Sequence, residues 1–185
     1  MSRPARVALI SALALVLTGA FLWKFGGTTG AVQRDSVEFT QIQEGWAKAD
    51  EKLPETAADL PALGDAAPGI PSKGTYLVNI WGSWCDSCKK EMPWLERFAN
   101  SQHGVGVIGI SRDLRASAAT DTMRERGVTY PNVQDEYGDF VTEIGAAVST
   151  YTPSSFIVKD GVIIATHTGV FKSYDALVSS VTSRA

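Results

Sequence analysis

The sequence predicts an α/β sandwich, a mixed β-sheet with helices packed on it, and three observations carry that prediction. Two nearly continuous apolar runs, "TYLVNIW" at 75–81 and "VGVIGIS" at 105–111, read as strands covered on both faces. Each is followed by a segment with helical spacing. Near the C-terminus, "SSFIVKDGVIIATHTG" reads as a β-hairpin turning at Asp160-Gly161, with "KSYDALVSSVTSR" as a closing helix. Strand-helix-strand-helix followed by a hairpin and a helix implies parallel pairing first and antiparallel pairing last.

The individual elements follow from local chemistry. In "DSCKKEMPWLERFANSQ", Met92, Leu95 and Phe98 share one helical face. Pro93 inside this helix removes one hydrogen bond, crowds the carbonyl of Lys89 and is expected to kink it. "RASAATDTMRERG" is a helix closed by Gly127, and "YGDFVTEIGAA" is another. Further upstream, Pro54, Pro61, Pro68 and Pro71 crowd a stretch unsuited to a helix or a central strand. Residues 26–74 are therefore expected to form a flexible linker and a proline-rich arm lying against a domain of residues 75–185. Within the arm, "VEFTQI" reads as a short strand and "QEGWAKADEKL" as a weak helix or turn.

Arg3 and Arg6 precede an apolar run from Val7 to Trp23, the pattern of an export signal or signal anchor over residues 1–25. At about 1.5 Å per residue the run spans roughly 26 Å, just short of a ~30 Å hydrocarbon core. Lys24 alone on the far side favours the N-terminus inside and the domain outside. Thr18-Gly19-Ala20 and Thr29-Gly30-Ala31 offer cleavage sites, so a secreted or periplasmic product is the competing expectation. With 185 residues, 44% hydrophobic, and a net charge of −3, the chain can build one core and carries no nucleic-acid-binding surface.

The chemistry concentrates in "WGSWCDSCKKEMPWL", residues 81–95, which holds both cysteines of the chain. Cys85 falls where a strand ends and a helix begins. A helix N-terminus carries partial positive charge and unpaired N–H groups, which stabilise a thiolate and lower its pKa from about 8.5 into the ~3.5–7.5 range. Cys88, one turn further in, is the natural resolving thiol to an exposed Cys85 nucleophile. Half of a zinc site is the alternative, but the chain has no second CxxC and no HxxxH. His103 reads as a solvated loop residue and His167 as a satisfied sheet residue. A Cys-Cys-His copper site, and with it a copper-binding chaperone, requires His167 to fold beside the pair.

The stretch resembles the active site of the thioredoxin superfamily, and is most similar to its membrane-tethered extracytoplasmic TlpA/ResA-like branch. The resemblance rests on Trp84-Cys85, the CxxC, Lys89-Lys90-Glu91 and Pro93, and on "YTPSSFIVKDG" as a second signature in the right order. It runs from about Thr75 to the C-terminus and is weak over residues 35–74. It implies a thioredoxin-like three-layer sandwich with helices on both faces of the sheet, and a thiol–disulfide oxidoreductase that needs no cofactor and no metal. Cys85 and Cys88 become the redox disulfide, Pro153 a cis proline facing it, and Thr152 a backbone contact for an extended substrate, with Trp84 beside them. Cis is inexpensive only at X-Pro bonds, about 0.5–1 kcal/mol.

The implied partners are a disulfide-containing exported client, as in cytochrome c maturation or copper-site assembly, and a membrane thiol-reductant carrier. An oxidase or isomerase of exported proteins is the same chemistry in reverse. Asn79 stands where cytosolic thioredoxins carry a buried aspartate, which makes Glu91 the expected proton acceptor for Cys88. Three residues past that thiol, it shares a helix face with it. Glu91 is expected to be partly withdrawn from water, with a raised pKa, on a mainly exposed helix position. Asp86 beside Cys85 opposes the thiolate and is expected to outweigh Lys89 and Lys90, favouring a reductant.

Overall fold

The computed structural model describes residues 44–145 and 151–185. The basic and apolar leader, the spacer after it and the strand expected at Val37–Ile42 lie outside the described residues. Among the described residues, no helix is long and apolar enough to cross a membrane.

The strands are β1 (Gly45–Lys52), β2 (Ala62–Leu63), β3 (Thr75–Trp81), β4 (Gly106–Ser111), β5 (Asn132–Gln134), β6 (Ser154–Lys159) and β7 (Val162–Thr168). The helices are α1 (Asp86–Ala99), α2 (Ala116–Arg126), α3 (Asp139–Glu143) and α4 (Tyr174–Thr182), with a 3-10 turn at Glu55–Asp59. One sheet holds all seven strands in the order β1-β7-β6-β3-β4-β5-β2. Pairing is parallel for β3–β4 and β4–β5, and antiparallel for β3–β6, β6–β7, β1–β7 and β2–β5. This is the thioredoxin-like mixed sheet that the apolar runs and the hairpin imply.

Alternation along β3 shows how one strand serves two cores. Leu77 and Trp81 enter a cluster with Cys88, Met92, Leu95 and Phe98 of α1 and Leu177 and Val181 of α4. Val78 and Ile80 face the opposite way, into a cluster with Ala57 of the 3-10 turn and Phe140 and Val141 of α3. Apolar residues at both parities explain the continuous run. Asn79 has the parity of Leu77 and Trp81, which puts a polar side chain under α1.

The hairpin turns where Asp160 and Gly161 both adopt positive φ, 49° and 79°, the two-residue geometry that Asp-Gly favours. Helix α2 ends at Gly127 in the left-handed conformation, as its sequence requires. Helix α1 runs unbroken past Pro93.

The sheet begins earlier than the repeated prolines suggest. The segment read as a weak helix or turn is the edge strand β1, hydrogen-bonded to β7, with Trp46 packed on His167 and Phe171. The proline-rich arm then crosses the sheet, and its Ala62–Leu63 pairs with β5 at the other edge. The three residues of β5 escaped the sequence reading: two of them are polar and Pro131 precedes them.

Candidate active site

Cys85 is the N-cap of α1 in extended conformation, and its Sγ accepts the Cys88 N–H at 3.2 Å. The two cysteines form a disulfide with Cα atoms 5.3 Å apart, so the site stands in its oxidised state. Cys85 retains 6% of its surface, whereas Cys88 is fully enclosed. The Ser87 hydroxyl lies 3.4 Å from Cys85 Sγ. Cys85 is therefore buried, a correction to the exposed position expected of it, but it remains the less enclosed residue at the helix start in front of a fully enclosed Cys88, the order expected of attacking and resolving thiols.

The second signature meets the first across a cavity of about 330 Å³, lined by Ser87 from α1 and by Tyr151, Thr152, Pro153, Thr168 and Gly169. The Thr152–Pro153 bond is cis, Pro153 is buried, and its carbonyl accepts the Gly169 N–H at 3.0 Å. Trp84, 63% exposed, sits on the other flank, where it lines a cavity with Ser83, Arg112, Leu114 and Arg115. The loop between β3 and α1 is anchored by Asp113, whose carboxylate accepts the Ser83 N–H (2.9 Å) and hydroxyl (2.5 Å) and the Ser111 hydroxyl (2.9 Å). Sequence reasoning missed Asp113; its place just past an apolar strand end was the only signal.

Glu91 is fully buried, a correction to the mainly exposed position expected of it. Its Oε1 accepts from Asn79 Nδ2 at 2.8 Å and its Oε2 from the Phe171 N–H at 3.1 Å. Burial raises its pKa from 4.5 to about 7, against the opposing effect of those two donors. The carboxyl is thus poised to change charge near neutrality, one helical turn from Cys88.

Two other expectations change. Asp86 is 88% exposed at its side chain and pairs with Lys89 at 3.2 Å, so water and a counter-charge mute its field at Cys85. His167 is not placed to complete a metal site: it is buried, stacked on Phe171 with ring centroids 4.4 Å apart, and its pKa is lowered chiefly by burial. Among the described residues, no group of three or more His, Cys, Asp or Glu side chains is arranged to hold a metal. His103 stacks on Phe98 at 4.9 Å and is only partly solvated.

Known proteins share this architecture. The ResA thiol-disulfide oxidoreductase of Bacillus thuringiensis subsp. konkukian is 30% identical over 95 residues, which cover 50% of this chain and 53% of that protein. The thiol:disulfide interchange protein DsbE of Pseudomonas aeruginosa is 35% identical over 117 residues, 60% of this chain and 62% of that one. The chain thus spans about half the length of the ResA relatives it matches. A secreted Mycobacterium tuberculosis disulfide oxidoreductase superposes with a TM-score of 0.56 at 19% identity, covering 67% of this chain and 93% of that one, a likeness of fold. Residues 48–181, from the edge strand β1 through helix α4, match the Redoxin family, and the chain belongs to that family.

Proposed function

We propose that the protein is an extracytoplasmic thiol–disulfide oxidoreductase that reduces disulfides of exported proteins. The observation that carries this reading is the Cys85–Cys88 disulfide at the start of α1, with Ser87 between the two cysteines lining a cavity together with the Thr152–Pro153 loop. In the reduced enzyme the Cys85 thiolate attacks one sulfur of a client disulfide, and the other client sulfur leaves as a thiolate. Cys88, deprotonated by Glu91, then attacks Cys85 Sγ. The Cys85–client bond breaks, the client leaves as a dithiol that has gained two electrons, and the enzyme, which has lost them, is left with the Cys85–Cys88 disulfide. The backbone at Thr152 borders the cavity and suits an extended client segment, with Trp84 offering apolar surface on the far flank.

The direction of electron flow is supported by Glu91 rather than by Asp86. A buried carboxylate near the pair opposes a second negative charge, which weakens thiolate stabilisation in the reduced form and favours a reductant. The basic and apolar residues 1–25 support export and attachment to the membrane, with re-reduction by a membrane thiol carrier and a client in cytochrome c maturation or copper-site assembly. The deciding experiment combines two measurements. Cys88→Ser should accumulate a mixed disulfide through Cys85 with exported clients. The reduction potential should lie well below the ~−120 mV of a strong oxidant. A potential near that value would make the protein a disulfide-inserting oxidase, and a Cys88→Ser variant that traps nothing would remove the exchange reading.

A further inference from the structure

Asn79 lies at the centre of the sheet, six residues before Cys85, and none of its surface is exposed. Its side-chain nitrogen serves two acceptors, Glu91 Oε1 at 2.8 Å and Ser155 Oγ at 3.1 Å. Its Oδ1, equally buried, has no donor. A buried acceptor left without a donor is uncommon and calls for a reason. We propose that Asn79 is a positioning residue whose amide reverses as Glu91 takes up and releases its proton, offering the carboxyl a donor in one state and an acceptor in the other.

The hydrogen-bond inventory leads there. An ionised carboxylate only accepts, and the observed arrangement supplies it with two donors, Asn79 Nδ2 and the Phe171 N–H. A protonated carboxyl carries an O–H that needs an acceptor, and Asn79 Nδ2 facing it is the wrong group. The acceptor without a donor is Oδ1 of the same amide. Half a turn about the last side-chain bond of Asn79 exchanges the two atoms, and that torsion is broad and roughly two-fold. Oδ1 then accepts from the Glu91 O–H and from the Ser155 hydroxyl, whose hydrogen rotates to suit, while Phe171 keeps its bond to Oε2. An aspartate at this position has no donor for the ionised state and adds a like charge.

No charged side chain competes for this role. Among the described residues, no lysine, arginine or histidine forms an ion pair with Glu91. The titratable groups around it are the cysteines of α1, Tyr130 from the loop before β5, His167 of β7 paired in register with Ser155, and Glu96 of α1. Tyr130 stays neutral, because burial and then the charges of Glu91 and Glu96 raise its pKa. His167 packs on Trp46 and Phe171. Glu96 is occupied by the N–H groups of Thr129 and Tyr130.

The catalytic consequence rests on the reading of Glu91 as the partner of Cys88; the reversal itself is tested without turnover. In isotopically labelled oxidised protein, the Glu91 carboxyl carbon and the Asn79 side-chain amide are followed by NMR from pH 5 to 9. Both should titrate with one midpoint. Cross-relaxation between the Asn79 amide protons and the Glu91 Hγ protons should be present above the midpoint and lost below it. In Glu91→Gln the Asn79 signals should not move with pH, and in Asn79→Ala the Glu91 midpoint should rise only slightly, because the ionised form loses a donor and the protonated form loses an acceptor. Amide contacts that persist on both sides of the Glu91 midpoint, or a Glu91 that does not titrate in this range, would overturn the proposal. Disulfide-exchange rates of Glu91→Gln are read separately: unchanged rates with a reversing amide would sink the catalytic role of Glu91 and leave the positioning role of Asn79 standing.

Discussion

The Glu91 carboxylate and the Phe171 backbone N–H meet at 3.1 Å, although 80 residues separate them in the chain. This bond ties the helix that carries the cysteines to the segment between β7 and α4, and it lies in a site closed to water. A carboxyl confined in this way has a price that depends on pH.

Glu91 is raised from 4.5 to about 7, so the folded protein holds this proton more tightly than the unfolded chain does. The associated stability is fully present below pH 4.5 and is lost as pH rises through the window up to about 7, on the order of 3 kcal/mol in all. Glu91→Gln keeps the shape without the titration. Urea unfolding of both oxidised proteins should show the variant gaining on the parent across that window and then holding a constant difference. A pH-independent difference would mean that Glu91 does not change charge in the folded state.

Reduction should expose unequal thiols. Cys85 retains 6% of its surface at the helix start and Cys88 none, so alkylation of the reduced protein should strike Cys85 first. Peptide mapping after brief labelling identifies the modified sulfur. Faster labelling of Cys88 would reverse the assigned roles.

Gly109 makes room for a bond beneath the active site. A Cβ on this residue would fall 1.8 Å from Asn132 Oδ1, the atom that accepts from Trp81 Nε1 at 2.8 Å. Gly109→Ala should therefore displace Asn132 and leave the buried indole N–H without its acceptor, lowering stability by about 1–3 kcal/mol. Chemical denaturation measures the loss, and an unchanged midpoint would show that the site relaxes freely.

Asp113 holds the loop that presents Cys85, through the N–H and hydroxyl of Ser83. Asp113→Ala should cost about 2–3 kcal/mol and slow disulfide exchange through a loosened Cys85 loop. Stopped-flow reduction of a model disulfide, set beside thermal unfolding, tests both effects. A variant with normal exchange and lower stability would confine Asp113 to a role in folding.

Much of the site was legible because it is local. A CxxC at a strand-to-helix junction needs only neighbouring residues to place one sulfur at the helix start and the other a turn behind it. The Asp160-Gly161 hairpin and the Gly127 helix end are equally local, since φ preferences alone select those residues. Strands β3 and β4 announced themselves because burial on both faces removes polar residues from nearly every position. β1 and β5 did not, because an edge strand keeps polar residues and a three-residue strand has no period to detect.

What the sequence determined by itself is the pairing of Cys85 with Cys88 at a helix start, the order of the central strands and helices, and the cis bond at Thr152–Pro153. Tertiary structure alone decided the environment of Glu91. Helical periodicity puts Glu91 on the face of Cys88 but says nothing of what covers it; Asn79 from the sheet and Phe171 from the far end of the chain do that. The same holds for Asp86, whose effect on Cys85 depends on exposure and on its pairing with Lys89 rather than on adjacency. Dielectric surroundings and hydrogen-bond partners come from residues distant in sequence, and they set whether a carboxyl keeps its proton.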